Sequence, residues 1–102
     1  MRIIAKRTLQ EFWANHADAE EALLAWYQDT AKAAFGNANE VKEYASSVSL
    51  LSGDRVCFNI KGNRYRLIVK MEFAKQRVYV NWVGTHAEYN WIDANKVKFR
   101  EG

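Results

Sequence analysis

Arg55-Val56-Cys57-Phe58-Asn59-Ile60-Lys61-Gly62-Asn63-Arg64-Tyr65-Arg66-Leu67-Ile68-Val69-Lys70 decides the fold: two alternating runs meet at Gly62-Asn63. A first central residue with φ > 0 is what a type II′ turn needs, and glycine takes it without a Cβ penalty. A two-residue loop there sets Lys61 opposite Arg64, Ile60 opposite Tyr65, Asn59 opposite Arg66, Phe58 opposite Leu67 and Val56 opposite Val69. Because side chains alternate along each strand, Val56, Phe58, Ile60, Tyr65, Leu67 and Val69 form one apolar face. The other face holds Arg55, Asn59, Lys61, Arg64, Arg66 and Lys70, interrupted only by Cys57 and Ile68.

That second face carries cations and no carboxylate. Sheets ordinarily interleave opposite charges across strands, so a one-signed face points to a polyanionic partner, with a merely solvated face as the alternative. The wider charge distribution agrees. Residues 1–54 sum to −3 and residues 55–102 to +6, within a net charge of +3. At 102 residues and 49 % hydrophobic content, the chain is expected to form one globular domain, 1–102. The single cysteine excludes an intrachain disulfide, and the two histidines make no zinc spacing with it. No stretch reads as a signal peptide or membrane span, so a reducing, cytoplasmic location is expected, with no membrane partner.

Working outward, Arg2-Ile3-Ile4-Ala5 reads as a first strand. Thr8 with Glu11 and Asp18 with Glu21 are capping-box spacings that predict two helix starts. The apolar spacing of Ala22, Leu23, Trp26, Tyr27 and Thr30 predicts a long helix over 19–35, stopped by Gly36 in the left-handed region. Residues 37–54 read as a connector with one helical turn near Glu40-Tyr44. A turn centred on Lys75-Gln76 leads to a strand, Arg77 to Val83, pairing Phe73 with Val78, Met71 with Val80 and Val69 with Trp82. Thr85-His86-Ala87-Glu88 repeats the capping box and predicts a short helix. The tail Asn95 to Arg100 reads as an edge strand or an ordered extension. The fold class is α+β: a small antiparallel sheet with two N-terminal helices on one face, in the order β-α-α-β-β-β-α.

The polar face gathers residues suited to cutting a phosphodiester. Lys61, Arg64 and Arg66 offer cations to a phosphate, guanidinium bidentately, with Asn59 and Lys70 beside them as RNA contacts. His86 belongs to the one residue type that ordinarily titrates near neutrality, and Tyr89 needs neighbouring cations to serve as a base. No carboxylate cluster suggests a metal and no motif a cofactor, so attack by the RNA's own 2′-hydroxyl is the indicated chemistry. His86 as a simple helix-start residue is the alternative. His16 and Cys57 read as structural, Trp82 and Trp91 as packing residues, with base stacking a second role for Trp91. A non-catalytic RNA- or ribosome-binding module on the same face is the competing function.

The segments Phe58 to Ile68 and Val83-Gly84-Thr85-His86-Ala87-Glu88-Tyr89, with the helical N-terminal half, resemble the HigB family of type II toxins within the RelE-like superfamily. The resemblance implies a RelE-like fold and an endoribonuclease that cleaves mRNA, commonly on the ribosome, neutralised by a HigA-type helix-turn-helix antitoxin. It implies phosphate roles for Lys61 and Arg66, and acid or base roles for His86 and Tyr89 in either order. The chain departs from RelE itself at Asn59, where RelE has lysine, at His86, where it has arginine, and in the earlier position of Tyr89.

Overall fold

A computed structural model describes residues 1–99. Strand β1 (Arg2–Ile4) leads into helix α1 (Lys6–Asn15), a 3-10 turn (Ala17–Ala19), helix α2 (Glu20–Lys32) and helix α3 (Ala38–Tyr44). Strands β2 (Ser49–Leu50), β3 (Arg55–Ile60), β4 (Tyr65–Glu72) and β5 (Arg77–Thr85) follow, then a single-turn helix α4 (His86–Tyr89). The five strands form one sheet in the order β1-β5-β4-β3-β2. Strands β2 to β5 are antiparallel to their neighbours, whereas β1 runs parallel to β5, so the expected α+β sheet is mixed at that edge.

The hairpin register is the one its alternation dictates, with Ile60 opposite Tyr65, Asn59 opposite Arg66 and Val56 opposite Val69. Val56, Phe58, Ile60, Tyr65, Leu67 and Val69 are buried against Leu9, Leu23 and Trp26 of the helices. Burying each large apolar side chain stabilises the fold by about 1.5–3 kcal/mol, which locks the register because a one-residue slip would expose the whole set. The turn differs from the expected two-residue loop. Both Lys61 (φ 52°) and Gly62 (φ 65°) take left-handed conformations, and Arg64 N–H donates to the Lys61 carbonyl at 3.2 Å. Lys61 thereby leaves the strand, while the pairing from Ile60 inward keeps its parity.

Several local expectations are corrected. Helix α1 starts at Lys6 without a side-chain cap, and Glu11 pairs with Arg7 at 3.0 Å rather than capping with Thr8. Asp18 caps no helix. Helix α2 ends at Lys32, where Ala33 turns extended (φ −79°, ψ 158°), so Gly36 is not its left-handed stop. The connector holds a full helix, α3, capped by the Asn37 side chain accepting from Glu40 N–H at 3.0 Å.

The largest correction lies in β5. The turn after β4 pairs Glu72 with Arg77 and Met71 with Val78, so four residues, 73–76, form the loop, two more than the expected Lys75-Gln76 turn, and the register moves by two. A bulge between Ile68 and Val69 then lets Val69 face Val80 and Ile68 face Trp82, leaving Asn81 over. Such an extra residue swaps the faces of everything beyond it. Val83 therefore packs on the core and Trp82 lies on the opposite face with Arg66. The tail crosses that face as an ordered extension: Ser52 N–H donates to Asn95 Oδ1 at 2.9 Å, and Val97 O accepts from Arg55 and Asn81. Arg100 lies outside the described residues.

Candidate active site

The hairpin brings Lys61, Arg64 and Arg66 to two different places. At the tip, the 3-10 turn offers Asp18 to the hairpin from the helical side. Asp18 accepts from Arg64 Nη1 at 2.6 Å and from the Tyr65 hydroxyl, and lies 3.5 Å from Lys61 Nζ, which also donates to the Asp18 carbonyl at 3.3 Å. The expectation that Lys61 and Arg66 share one face is corrected here. The left-handed backbone at Lys61 turns its side chain toward α2, where it lines a depression with Glu21, Ala22 and Ala25.

These donors hold the Asp18 carboxyl at about 2, from an ordinary 3.8, with the Tyr65 hydrogen bond the largest cause and the Arg64 bond next. The same contact raises the Tyr65 phenol. A carboxyl whose folded value is depressed contributes stability that is complete above about pH 4 and lost as pH falls through about 2. Asp18→Asn is accordingly expected to lower the thermal midpoint at pH 7, with the gap from the parent closing between pH 4 and 2. A gap independent of pH over that range would show that the ionised carboxylate is not what holds the tip.

Arg66 occupies the other place. It sits between Asn59 on β3 and Gly84 on β5, directs Nη1 to the Asn63 side-chain oxygen at 3.3 Å, and holds its guanidinium 5.6 Å from the Tyr89 ring centroid. Its Nε is shielded from solvent and meets no acceptor among the described residues. Asn59 reaches the Ser47 carbonyl at 3.4 Å and shares a shallow, open depression with Ser47, Gly62 and Asn63.

The capping box that begins α4 is present in full. Glu88 N–H donates to Thr85 Oγ1 at 3.1 Å and Thr85 N–H to Glu88 Oε1 at 2.8 Å. His86 N–H donates to the Arg64 carbonyl at 3.0 Å, pinning α4 to the hairpin and leaving His86 exposed in its first turn. One turn later Tyr89 lies half-buried beside Cys57 and 6.2 Å, ring to ring, from Trp82. Burial raises the Tyr89 phenol, the neighbouring Cys57 raises it further, and the Arg66 cation opposes them without prevailing. The cations therefore do not lower this phenol as expected. Cys57 is buried, and burial pushes its thiol up despite Tyr89 and Arg66, which suits an unreactive structural thiol.

The structure thus brings Arg66 and Tyr89 together beside α4 with Asn59 across the strand pair, and ties exposed His86 to the hairpin through its backbone N–H, whereas Lys61 and Arg64 are engaged by Asp18, and Lys70 stands four residues from Arg66 along β4. His16 stacks on Phe12 at 4.1 Å as a packing residue, and Trp91 is 89 % exposed. Trp82 is the site neighbour that pattern reading put in the core. Its signal was in the sequence: Val78, Val80 and Val83 slip from even to odd spacing, as a bulge requires. Among the described residues no three His, Cys, Asp or Glu side chains come together as a metal-holding group, and no helix is long and apolar enough to cross a membrane.

A search of curated proteins finds no match to the chain. A family profile described as HigB_toxin, the RelE-like toxic component of a toxin-antitoxin system, matches residues 19–92, from the end of the 3-10 turn through α4 and just beyond. The matched span includes Arg66, His86, Tyr89 and the whole hairpin, and its α+β frame is the one described above. The chain belongs to the HigB family of RelE-like toxins of toxin–antitoxin systems.

Proposed function

We propose that this toxin is a metal-independent endoribonuclease that cuts mRNA, in association with the ribosome, in the cytoplasm. A toxin of this class is paired with an antitoxin, and the partner proposed here is a HigA-type helix-turn-helix protein. The observation that carries the nuclease reading is the seat of Arg66: a half-buried residue whose guanidinium is held between the Asn63 side chain of the hairpin turn and the Tyr89 ring of α4.

In the proposed reaction the substrate's 2′-oxygen attacks the adjacent phosphorus, the bond from phosphorus to the 5′-oxygen breaks, and a 2′,3′-cyclic phosphate and a 5′-hydroxyl result. Arg66 binds the phosphate and offsets the charge that builds on its free oxygens. His86 carries the proton from the 2′-hydroxyl toward the leaving 5′-oxygen. Tyr89, whose raised phenol keeps its proton at neutral pH, serves as a hydrogen-bond donor rather than a base. Lys61 and Arg64 add long-range attraction for the strand, tempered by Asp18. Asn59 and Lys70 line the strand's path on either side of Arg66.

Mapping transcript ends after a brief pulse of expression tests the reading. New ends inside coding sequences, with 2′,3′-cyclic phosphate upstream and 5′-hydroxyl downstream, are expected. Growth arrest without such ends would assign the basic face to RNA or ribosome binding alone.

A further inference from the structure

Beyond Arg66, the same face of the sheet carries a second cationic recess that the proposed chemistry does not use. Arg55, Lys70 and Tyr79 stand side by side on β3, β4 and β5. The tail folds over them, and together they line a groove of about 330 Å³ with Asn81, Lys98 and Phe99.

The groove combines three properties. The first is charge. Arg55, Lys70 and Lys98 face it, and none is paired with a carboxylate among the described residues. The carboxylate at its edge, Glu72, accepts from the Tyr79 hydroxyl at 3.0 Å. Arg55 is fixed rather than free to swing, donating Nε to Val97 O at 3.0 Å and Nη1 to Ser52 O at 3.2 Å. The second is aromatic surface: the Tyr79 and Phe99 rings meet edge to face at 5.2 Å, both half-exposed. The third is an orphan. Asn81, the bulge residue, donates Nδ2 to Val97 O at 3.1 Å, and its Oδ1 is shielded and meets no donor among the described residues.

One fixed guanidinium with two exposed lysines, ring faces and an unmet amide carbonyl suit a nucleotide: phosphate on the cations, base on a ring, and a base amino group or ribose hydroxyl toward the carbonyl. An acidic peptide would use only the first property. The groove also lies in line with Arg66. Lys70 is four residues from Arg66 along β4, roughly 13 Å at the usual strand rise. We infer that this groove is a subsite for a nucleotide of single-stranded RNA flanking the bond cut at Arg66; this rests on the nuclease reading above and extends its substrate to a strand that bridges both places.

The test is binding of a fully 2′-O-methylated oligoribonucleotide, which lacks the attacking hydroxyl, to the full chain across a salt series. The Lys70→Ala/Lys98→Ala double variant is expected to lose about tenfold in affinity, and its log–log salt slope to fall by about 1.4, at about 0.7 per phosphate contact in a single strand. Tyr79→Leu is expected to lose at least about fivefold with the slope unchanged, as loss of stacking does. Thermal midpoints of the variants check that both are folded. Parental affinity and slope in both folded variants would overturn the subsite. So would adenosine 5′-monophosphate binding as tightly as the oligonucleotide, which marks a free-nucleotide site, or hexaglutamate displacing the RNA at equal concentration, which marks a peptide site. The nuclease reading fails differently: cleaved ends are then absent from cells while the groove variants still weaken RNA binding.

Discussion

Arg66→Ala is expected to abolish measurable RNA cleavage while leaving the fold in place. The guanidinium is the one cation of the hairpin held at α4 rather than tied to Asp18, so no other side chain of this set takes over its phosphate. Removing a donor aimed at charge that develops in the transition state costs on the order of 10²–10³ in rate. The structural loss is small by comparison. Arg66 gives up one hydrogen bond to Asn63 and a cation–π contact with Tyr89, the latter about 0.5–1 kcal/mol in a partly exposed setting. Arg66→Lys restores the charge without the planar fork, and an intermediate rate is expected from it. Single-turnover cleavage of a short RNA, alongside thermal unfolding, separates the two effects. Cleavage by folded Arg66→Ala within about threefold of the parent would remove Arg66 from the reacting phosphate and with it the site built around α4.

The parts of this molecule legible in its sequence are those that a local rule decides alone. The β3–β4 pairing follows from alternation, since only one parity buries Val56, Phe58, Ile60, Tyr65, Leu67 and Val69 together. The Thr85–Glu88 capping box needs four consecutive residues and no tertiary partner, and it formed as its spacing dictates. The same spacing at Thr8 and Asp18 did not form caps because longer-range partners intervened: β1 delivers the chain directly into α1 at Lys6, and Asp18 is drawn to Arg64, Tyr65 and Lys61, 43 or more residues away in sequence. The site suffered from the same blindness. Its composition was visible, but Lys61's departure from the strand depends on a left-handed backbone at a lysine, and Trp82's presence on the active face depends on a bulge in β5. The first is not set by the residues on either side of it, and the second shows only as the slip in valine spacing from Val78 and Val80 to Val83. The direction of the Tyr89 shift also required the fold, because burial and Cys57 outweigh a cation whose presence alone argued for the opposite sign.

Gly84→Ala is expected to damage activity far more than stability. Gly84 is buried opposite Arg66, and a Cβ placed there would lie 2.5 Å from Cζ2 and Cη2 of Trp82 and 3.0 Å from Glu88 Oε1. Those atoms belong to the two supports of the site. Glu88 closes the capping box that aims α4, and the Trp82 ring lies against Tyr89. The Trp82 side chain is only half-buried, so the indole swings aside rather than the backbone giving way. The stability cost therefore falls near the lower end of the usual overpacking range, about 1 kcal/mol. Displaced, the indole takes Tyr89 and the guanidinium packed on it out of alignment. A misplacement of about 1 Å at a reacting centre costs about 10²-fold, and a drop in cleavage of roughly 10- to 100-fold is expected. A double-mutant cycle identifies the cause. If the indole is what the new methyl strikes, Gly84→Ala in a Trp82→Leu background costs little further stability and little further activity, giving a strongly non-additive pair. Additive losses would place the damage in the capping box instead, and Glu88→Ala would then reproduce the Gly84→Ala defect with Trp82 left where it is.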